Sequence, residues 1–329
     1  MYYIKKSGLE FMFKEAKKII DKSQKIYIVS HENPDGDAIG SSFALNIALK
    51  KIGKNSNVIM PKCSEDFKFL PNIEECLDKV LEEDKEYDLI ICLDSSNSQR
   101  LACSEEDFKK AKNILVIDHH EIVKNYGDVN CINPQIPATC ELVYNLLLDM
   151  DIEIDKQIAT YLYTGIMTDT GSFNYSNTKS TTLYIASKLL EKNIDFADIC
   201  KRLNDTIKES KLKLIAKTIN NMEVYLDGKI RYSYIDKNTL NELNITDEEA
   251  EGMVNYLRSV ENTEVAIYVR EKENAEKKVS MRSTELVDVS KIAIQFGGGG
   301  HARASGYTMQ KSYEEEKMRL LNVVEEMLK

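Results

Sequence analysis

Three short apolar runs, KIYIVS (25–30), DLIICLD (88–94) and NILVID (113–118), lack the polar alternation of a half-exposed strand. Their Ile, Val and Leu content suits strands buried on both faces, the condition met in parallel sheets covered by helices. Between the first two, DAIGSSFALNIALKKIG places Ile39, Phe43, Ile47 and Leu49 at helical spacing and closes on Gly53 as a C-cap. A strand followed by such a helix is the start of a βαβ unit, so the expected fold class is α/β with a parallel sheet. Further helices are predicted at about 138–150, 156–167, 180–191 and 208–222. From about residue 224 the pattern becomes alternating strands, IRYSYI, EVAIYV and KVSMRS, interleaved with helices near 247–258, 288–295 and 312–328. That reads as a smaller mixed α/β domain. A chain of 329 residues suits two domains, and the expected division is a catalytic domain over 1–207, a linker helix over 208–223 and a second domain over 224–329.

Composition narrows the function classes. Residues are 43% hydrophobic and 30% charged, as in an ordered globular protein. Charges at Lys6, Glu10, Lys14 and Glu15 spoil a signal peptide, and no stretch has the roughly 18 apolar residues of a membrane span, so a cytoplasmic protein without a membrane partner is expected. Seven cysteines with no CxxC spacing suggest neither a disulfide framework nor a zinc ribbon. A net charge of −10 argues against a general grip on long DNA or RNA.

In an open parallel sheet, ligands bind beyond the carboxyl ends of the strands, and each apolar run ends there in candidate ligands. The first leads into HENPDGD with His31, Asp35 and Asp37; the second ends on Asp94; the third ends on Asp118, His119 and His120. A further acid, Asp169, falls in a TDTGSF turn expected after the 156–167 helix. All four histidines of the chain, His301 being the fourth, lie in segments of this kind. Carboxylates and imidazoles gathered at one sheet edge repel one another unless cations compensate them. A bridging carboxylate such as Asp94 can hold two ions, the arrangement suited to phosphoryl displacement. Aspartates with some imidazole and no thiolate favour Mn2+ as the two divalent ions.

Each piece also has an ordinary reading. Asn33-Pro34-Asp35-Gly36 is good turn chemistry and Asp37 a good helix N-cap; Asp94 could close a strand, and Thr168-Asp169-Thr170-Gly171 could be a polar turn. Two adjacent histidines at a buried strand end need partners, which makes VIDHH harder to explain that way. The run GGGGHA (297–302) superficially satisfies GxGxxA, but only 27 residues follow Ala302, too few for a complete dinucleotide-binding unit. Glycines beside His301 and Arg303 instead let backbone N–H groups approach an anion. Arg282 and Ser283 are expected nearby.

HENPDGDAIGS, LDSSNSQR, VIDHH and TGIMTDTGSF, in that order, resemble the four motifs of the DHH phosphoesterase superfamily, and KVSMRST followed by FGGGGHARASG resembles its associated C-terminal domain. The likeness covers nearly the whole chain and is similar in arrangement to the stand-alone nanoRNase/pAp-phosphatase group, which acts on oligoribonucleotides of a few residues and on 3′-phosphoadenosine 5′-phosphate (pAp). The resemblance implies one metal on His31, Asp35 and Asp94 and a second on Asp37, Asp94, His119 and Asp169. It implies that His120 faces the scissile phosphate, that Asp118 orients a ligand histidine from behind, and that Gly298, Gly299, Gly300, His301, Arg303, Arg282 and Ser283 contact substrate. The chain departs from the pattern after Asp94, where SSNSQR lacks the second acid that often precedes the arginine; Arg100 is the candidate for a phosphate contact there.

The expected activity is metal-dependent hydrolysis of short nucleotide phosphoesters, with short RNA, pAp or dinucleotides as partners and long nucleic acid excluded. Rivals are a cyclic or linear dinucleotide phosphodiesterase, a pyrophosphatase or polyphosphatase, and a non-catalytic nucleotide sensor. The oligomeric state is unreadable, a homodimer included.

Overall fold

In chain order the first unit runs α1 (Lys6–Lys22), β1 (Lys25–Val29), α2 (Gly36–Lys51), β2 (Asn55–Ile59), β3 (Leu89–Leu93), α3 (Glu105–Lys109), β4 (Ile114–Asp118) and β5 (Val129–Ile132). It continues with α4 (Thr139–Asp149), α5 (Lys156–Asp169), α6 (Ser180–Leu190) and α7 (Phe196–Cys200). These come from a computed structural model that describes residues 6–61, 63, 65–120, 125–247, 249–272 and 274–329. The chain divides into two compact units, 1–205 and 206–329.

The three apolar runs are β1, β3 and β4, as their burial on both faces requires. They form a parallel sheet in the order β2-β1-β3-β4-β5. The chain leaves β1 for β2 on one side and returns to β3 on the other, so the order reverses between β1 and β3, where open sheets place ligands. α2, α4 and α5 pack closely together. A side chain at Gly40 would meet the Tyr161 carbonyl at 2.5 Å, and one at Gly165 would meet the Cys140 sulfur at 2.3 Å. This approach brings the start of α2, the start of α4 and the end of α5 to one place.

Several elements depart from expectation. α1 is an amphipathic helix in a charge-rich segment and buries Phe13, Ala16 and Ile20. β2 and β5 are edge strands, and their mixed composition hides them from a search for apolar runs. α5 continues to Asp169, so that acid closes the helix and the turn begins after it, through Gly171, Ser172 and Phe173 at φ of 54°, 58° and 67°.

The second unit contains α8 (Glu209–Asn220), β6 (Glu223–Tyr225), β7 (Ile230–Ile235), α9 (Lys237–Glu242), α10 (Val254–Arg258), β8 (Val265–Glu271) and β9 (Lys277–Ser283). α11 (Val289–Gln295), β10 (Gly299–His301), β11 (Ala304–Thr308) and α12 (Tyr313–Leu328) complete it. Its six strands run β10-β11-β9-β8-β7-β6, parallel only between β7 and β8. β8 is buried on both faces: Ile267 packs with Ile292 and Leu320, while Ala266 and Tyr268 pack with Leu240 and Leu257. The segment expected as a linker helix is α8, whose Leu214 and Ile215 sit in that second cluster and make it part of this unit's core. The helix expected at 247–258 becomes regular only from Val254, since Gly252 adopts φ 82°. Among the described residues, no helix is long and apolar enough to cross a membrane.

Candidate metal centre

His31 follows β1, Asp94 follows β3, and His119 and His120 follow β4, so three neighbouring strands deliver these side chains to one sheet edge. α2 adds Asp35 and Asp37 from its start, and α5 adds Asp169 from its end. Three triads each place one donor atom within 4.8 Å of the other two: His31, Asp35 and Asp94; Asp37, His119 and Asp169; and Asp94, His119 and His120.

Asp94 joins the groups. Its Oδ2 lies 3.8 Å from His31 Nε2 and its Oδ1 lies 3.4 Å from His119 Nε2. The residue is 2% exposed and its backbone sits at φ 54°, a left-handed conformation that costs a non-glycine residue about 1–2 kcal/mol. Such strain persists only where its surroundings enforce it. His119 Nε2 also lies 3.1 Å from Asp169 Oδ2 and 3.8 Å from Asp37 Oδ2. Its Nδ1 faces the Ile136 carbonyl at 3.3 Å, an arrangement that leaves Nε2 for the carboxylate side. His31 Nε2 is 4.0 Å from Asp35 Oδ2.

Local structure corrects two sequence readings. Asp35, rather than Asp37, is the N-cap of α2, accepting from the amides of Asp37 and Ala38 at 3.0 and 3.1 Å. Asp37 serves a different helix: its oxygens accept from the amides of Thr139 and Cys140 at the start of α4, at 2.5 and 2.8 Å. Asp118 was expected to orient a ligand histidine, but its Oδ1 meets Nδ1 of His120 at 2.6 Å. It reaches His119 only through that residue's amide, at 2.7 Å. The carboxylate turns back toward its own chain because it also gathers the His120 amide at 3.1 Å.

The donor set fits divalent cations. Burial, with Asp94 and Asp169 close by, pushes the fully buried Asp37 carboxyl well above its ordinary range. His119 is pushed up to about 12, because burial, which would lower it, is outweighed by its bonds to Asp169 and Asp94. A cluster that must hold protons to offset its own charge is one that cations would neutralise. Oxygen and imidazole donors dominate. The nearby Cys140 thiol is buried, which raises its pKa, and it points at the Asp37 carbonyl.

Of the residues expected to contact substrate, Arg100 is exposed at the end of a short turn whose carbonyl accepts from the Glu32 amide at 2.8 Å, beside His31. The rest gather in the second unit. The glycine run contributes an edge strand: Gly299, Gly300 and His301 pair antiparallel with Gly306, Ser305 and Ala304. Gly298 lies against the Gly306 carbonyl and Tyr307, where a side chain would have no room. Ala304 is in register with Arg282 on β9, so Arg282 and Ser283 do lie beside the 301–304 segment. Ser283 corrects expectation. It is buried and its hydroxyl donates to the Ala302 carbonyl at 3.2 Å, so it braces the segment instead of offering a free donor. Arg303 donates to the Val287 carbonyl at 3.0 Å, and His301 is exposed.

Family comparison finds one domain match within each of the two units. The model of the DHH family N-terminal domain matches residues 25–166, and that of the DHHA1 domain matches 227–329. A bifunctional oligoribonuclease and PAP phosphatase NrnA from Thermus thermophilus is 32% identical over 305 residues, covering 92% of this chain and 90% of that protein. This chain belongs to the DHH family. The NrnA of Bacillus subtilis is 27% identical over 299 residues, covering 89% and 92%. The crystal structure of an exopolyphosphatase-related protein from Bacteroides fragilis superposes with a TM-score of 0.86 at 31% identity, covering 100% of this chain and 97% of that one. The DHH match spans β1 to α5 and holds every residue of the three triads except Asp169; the DHHA1 match holds Arg282 through Arg303.

Proposed function

We propose that this DHH protein hydrolyses short nucleotide phosphoesters, with oligoribonucleotides of a few residues and pAp as its substrates and cyclic or linear dinucleotides as the alternative. The observation that carries this reading is the placement of Asp94, with one carboxylate oxygen toward His31 and the other toward His119. His31, Asp35 and Asp94 would hold one cation, and Asp37, Asp94, His119 and Asp169 the other. Mn2+ suits this mixture of carboxylate and imidazole. When bound, the pair supplies charge neutralisation at the phosphoryl oxygens and an acidified water.

The chain's own groups do the rest. Asp118 holds Nδ1 of His120, leaving Nε2 to donate to a phosphoryl oxygen as negative charge develops there. Water adds to phosphorus, the ester P–O bond breaks, and the leaving oxygen takes up a proton. Arg282, His301 and Arg303 in the second unit would bind the nucleotide; the Gly298 amide is already committed to the Ala293 carbonyl at 2.8 Å, so the glycines would serve by letting a phosphate approach the strand edge closely. The oligoribonuclease and PAP phosphatase named for the Thermus thermophilus relative support the substrate class.

A polyphosphate or pyrophosphate substrate is the second reading, favoured by the description of the Bacteroides fragilis structure. Initial rates on pAp, a diribonucleotide, a cyclic dinucleotide and pyrophosphate, measured with Mn2+, decide between them. Preference for a nucleotide supports the proposal. Preference for pyrophosphate overturns it, and bound metal without turnover on any of the four points to a sensor.

A further inference from the structure

We infer that Thr139 is a positioning residue for the reaction, fixing the two buried aspartates Asp37 and Asp94 at once from the start of α4. This rests on the two-cation reading above. The amide of Thr139 donates to Asp37 Oδ2 at 2.5 Å, and the Cys140 amide donates to the other oxygen at 2.8 Å. The Thr139 hydroxyl donates to Asp94 Oδ1 at 3.2 Å. Thr139, Asp37 and Asp94 are all buried, with Thr139 and Asp37 wholly inaccessible.

The local sequence explains why this contact exists. α4 begins after Ala138, which has no side chain able to cap it, so its first amides need acceptors from elsewhere. Asp37, 102 residues earlier in the chain, provides them. The exchange is reciprocal: the helix gains a cap, and the carboxylate gains two charge-assisted bonds and the favourable end of the helix dipole.

The hydroxyl adds what the amides cannot. Asp94 must keep one oxygen toward each group of ligands, and rotation of its carboxylate would spoil both. His119 lies on the same Oδ1 at 3.4 Å but would there be a fellow ligand to the cation, not a brace. The hydroxyl of Thr139 fixes that oxygen from behind, and supports of this kind typically change metal affinity or activity by about 10–100-fold when removed. Threonine suits the task because its methyl group fills the buried space while its hydroxyl makes the bond.

The test compares Thr139→Val, which keeps the shape and loses the hydroxyl, with Thr139→Ser, which keeps the hydroxyl. Mn2+ affinity is measured by calorimetry on the full chain without substrate, and kcat and KM on a diribonucleotide at saturating Mn2+. Thr139→Val should weaken Mn2+ binding or lower kcat by about tenfold or more, with KM within about threefold. Thr139→Ser should stay within about threefold of the parent in all three. Thr139→Ala, which is smaller and also lacks the hydroxyl, carries the same comparison if the valine variant does not fold. Parent-like affinity and kcat in the folded variant lacking the hydroxyl overturn the inference, as does a serine variant as impaired as the valine one. The binding arm uses no substrate, so a failure of the nucleotide reading would show separately, as a parent enzyme that binds Mn2+ and turns over no nucleotide.

Discussion

Nδ1 of His120 lies 2.6 Å from Oδ1 of Asp118, while the adjacent His119 turns its Nε2 to Asp37, Asp94 and Asp169. Successive side chains at a strand end point in different directions, and here that separates a candidate ligand from a candidate phosphate contact. His119→Ala is expected to lose bound Mn2+. His120→Ala should keep it and lose about 10²–10⁴ in kcat, the range for a group assisting proton transfer or charge development. Asp118→Asn should keep metal and lose about 10–100-fold. Metal content by elemental analysis, run beside kinetics, checks all three; equal metal loss in the two histidine variants contradicts the assignment.

Far from that edge, Asp84 is buried and accepts from Tyr27 Oη at 2.6 Å while pairing with Lys25. Burial alone would raise its pKa, but the bonds to Lys25 and Tyr27 outweigh it and hold the carboxyl below its ordinary value. A depressed folded pKa contributes stability that is present above the unfolded value of about 3.9 and is lost as pH falls through the folded value. Asp84→Asn should therefore cost about 1–3 kcal/mol near neutral pH. Its deficit against the parent should shrink below about pH 4. Denaturant melts at pH 7 and in mild acid measure this, and a deficit independent of pH would show that the charge is not responsible.

His31, Asp94 and the pair His119–His120 were legible because each follows an apolar run that reads as a doubly buried strand, whereas Asp169 closes a helix. The rule that parallel sheets bind at their carboxyl edge made these residues candidates, while the choice of His119 rather than His120 as a ligand came from the family resemblance. The role of Thr139 was hidden: Ala138 gives no capping signal, and the acceptor lies 102 residues away. The strand in the glycine run gave no signal because glycine disfavours strands, and only pairing with β11 makes Gly299–His301 an edge. Ser283 looked available until its partner, the Ala302 carbonyl, was placed by tertiary structure.

His301 is exposed on that edge strand, within the segment that Ser283 braces. Binding energy from remote parts of a substrate is what such a residue can supply. His301→Ala should lower kcat/KM for a diribonucleotide by about tenfold or more and that for a small generic phosphodiester by less than about threefold. Parallel steady-state kinetics on the two substrates decide it, and equal losses would place His301 among the groups that act on the phosphate itself.

Substrate length offers another check. A net charge of −10 disfavours the counterion-release affinity that long strands gain on basic proteins. RNAs of about two to five nucleotides should be hydrolysed at least about tenfold faster per end than chains of about twenty. A length ladder at fixed Mn2+ and salt measures this. Rates that rise with length would favour a processive nuclease.

Asp94 turns one carboxylate oxygen to His31 and the other to His119, and in the proposed arrangement it serves both cations, so the whole account depends on it. The decisive measurement is the initial rate on a diribonucleotide and on pAp for the parent and for Asp94→Ala, each after chelation and again after Mn2+ is restored. The account predicts that chelation abolishes the parent's activity, that Mn2+ restores it, and that Asp94→Ala stays inactive in both conditions because neither cation is properly held. Full activity in excess chelator, or an Asp94 variant as active as the parent, would contradict it.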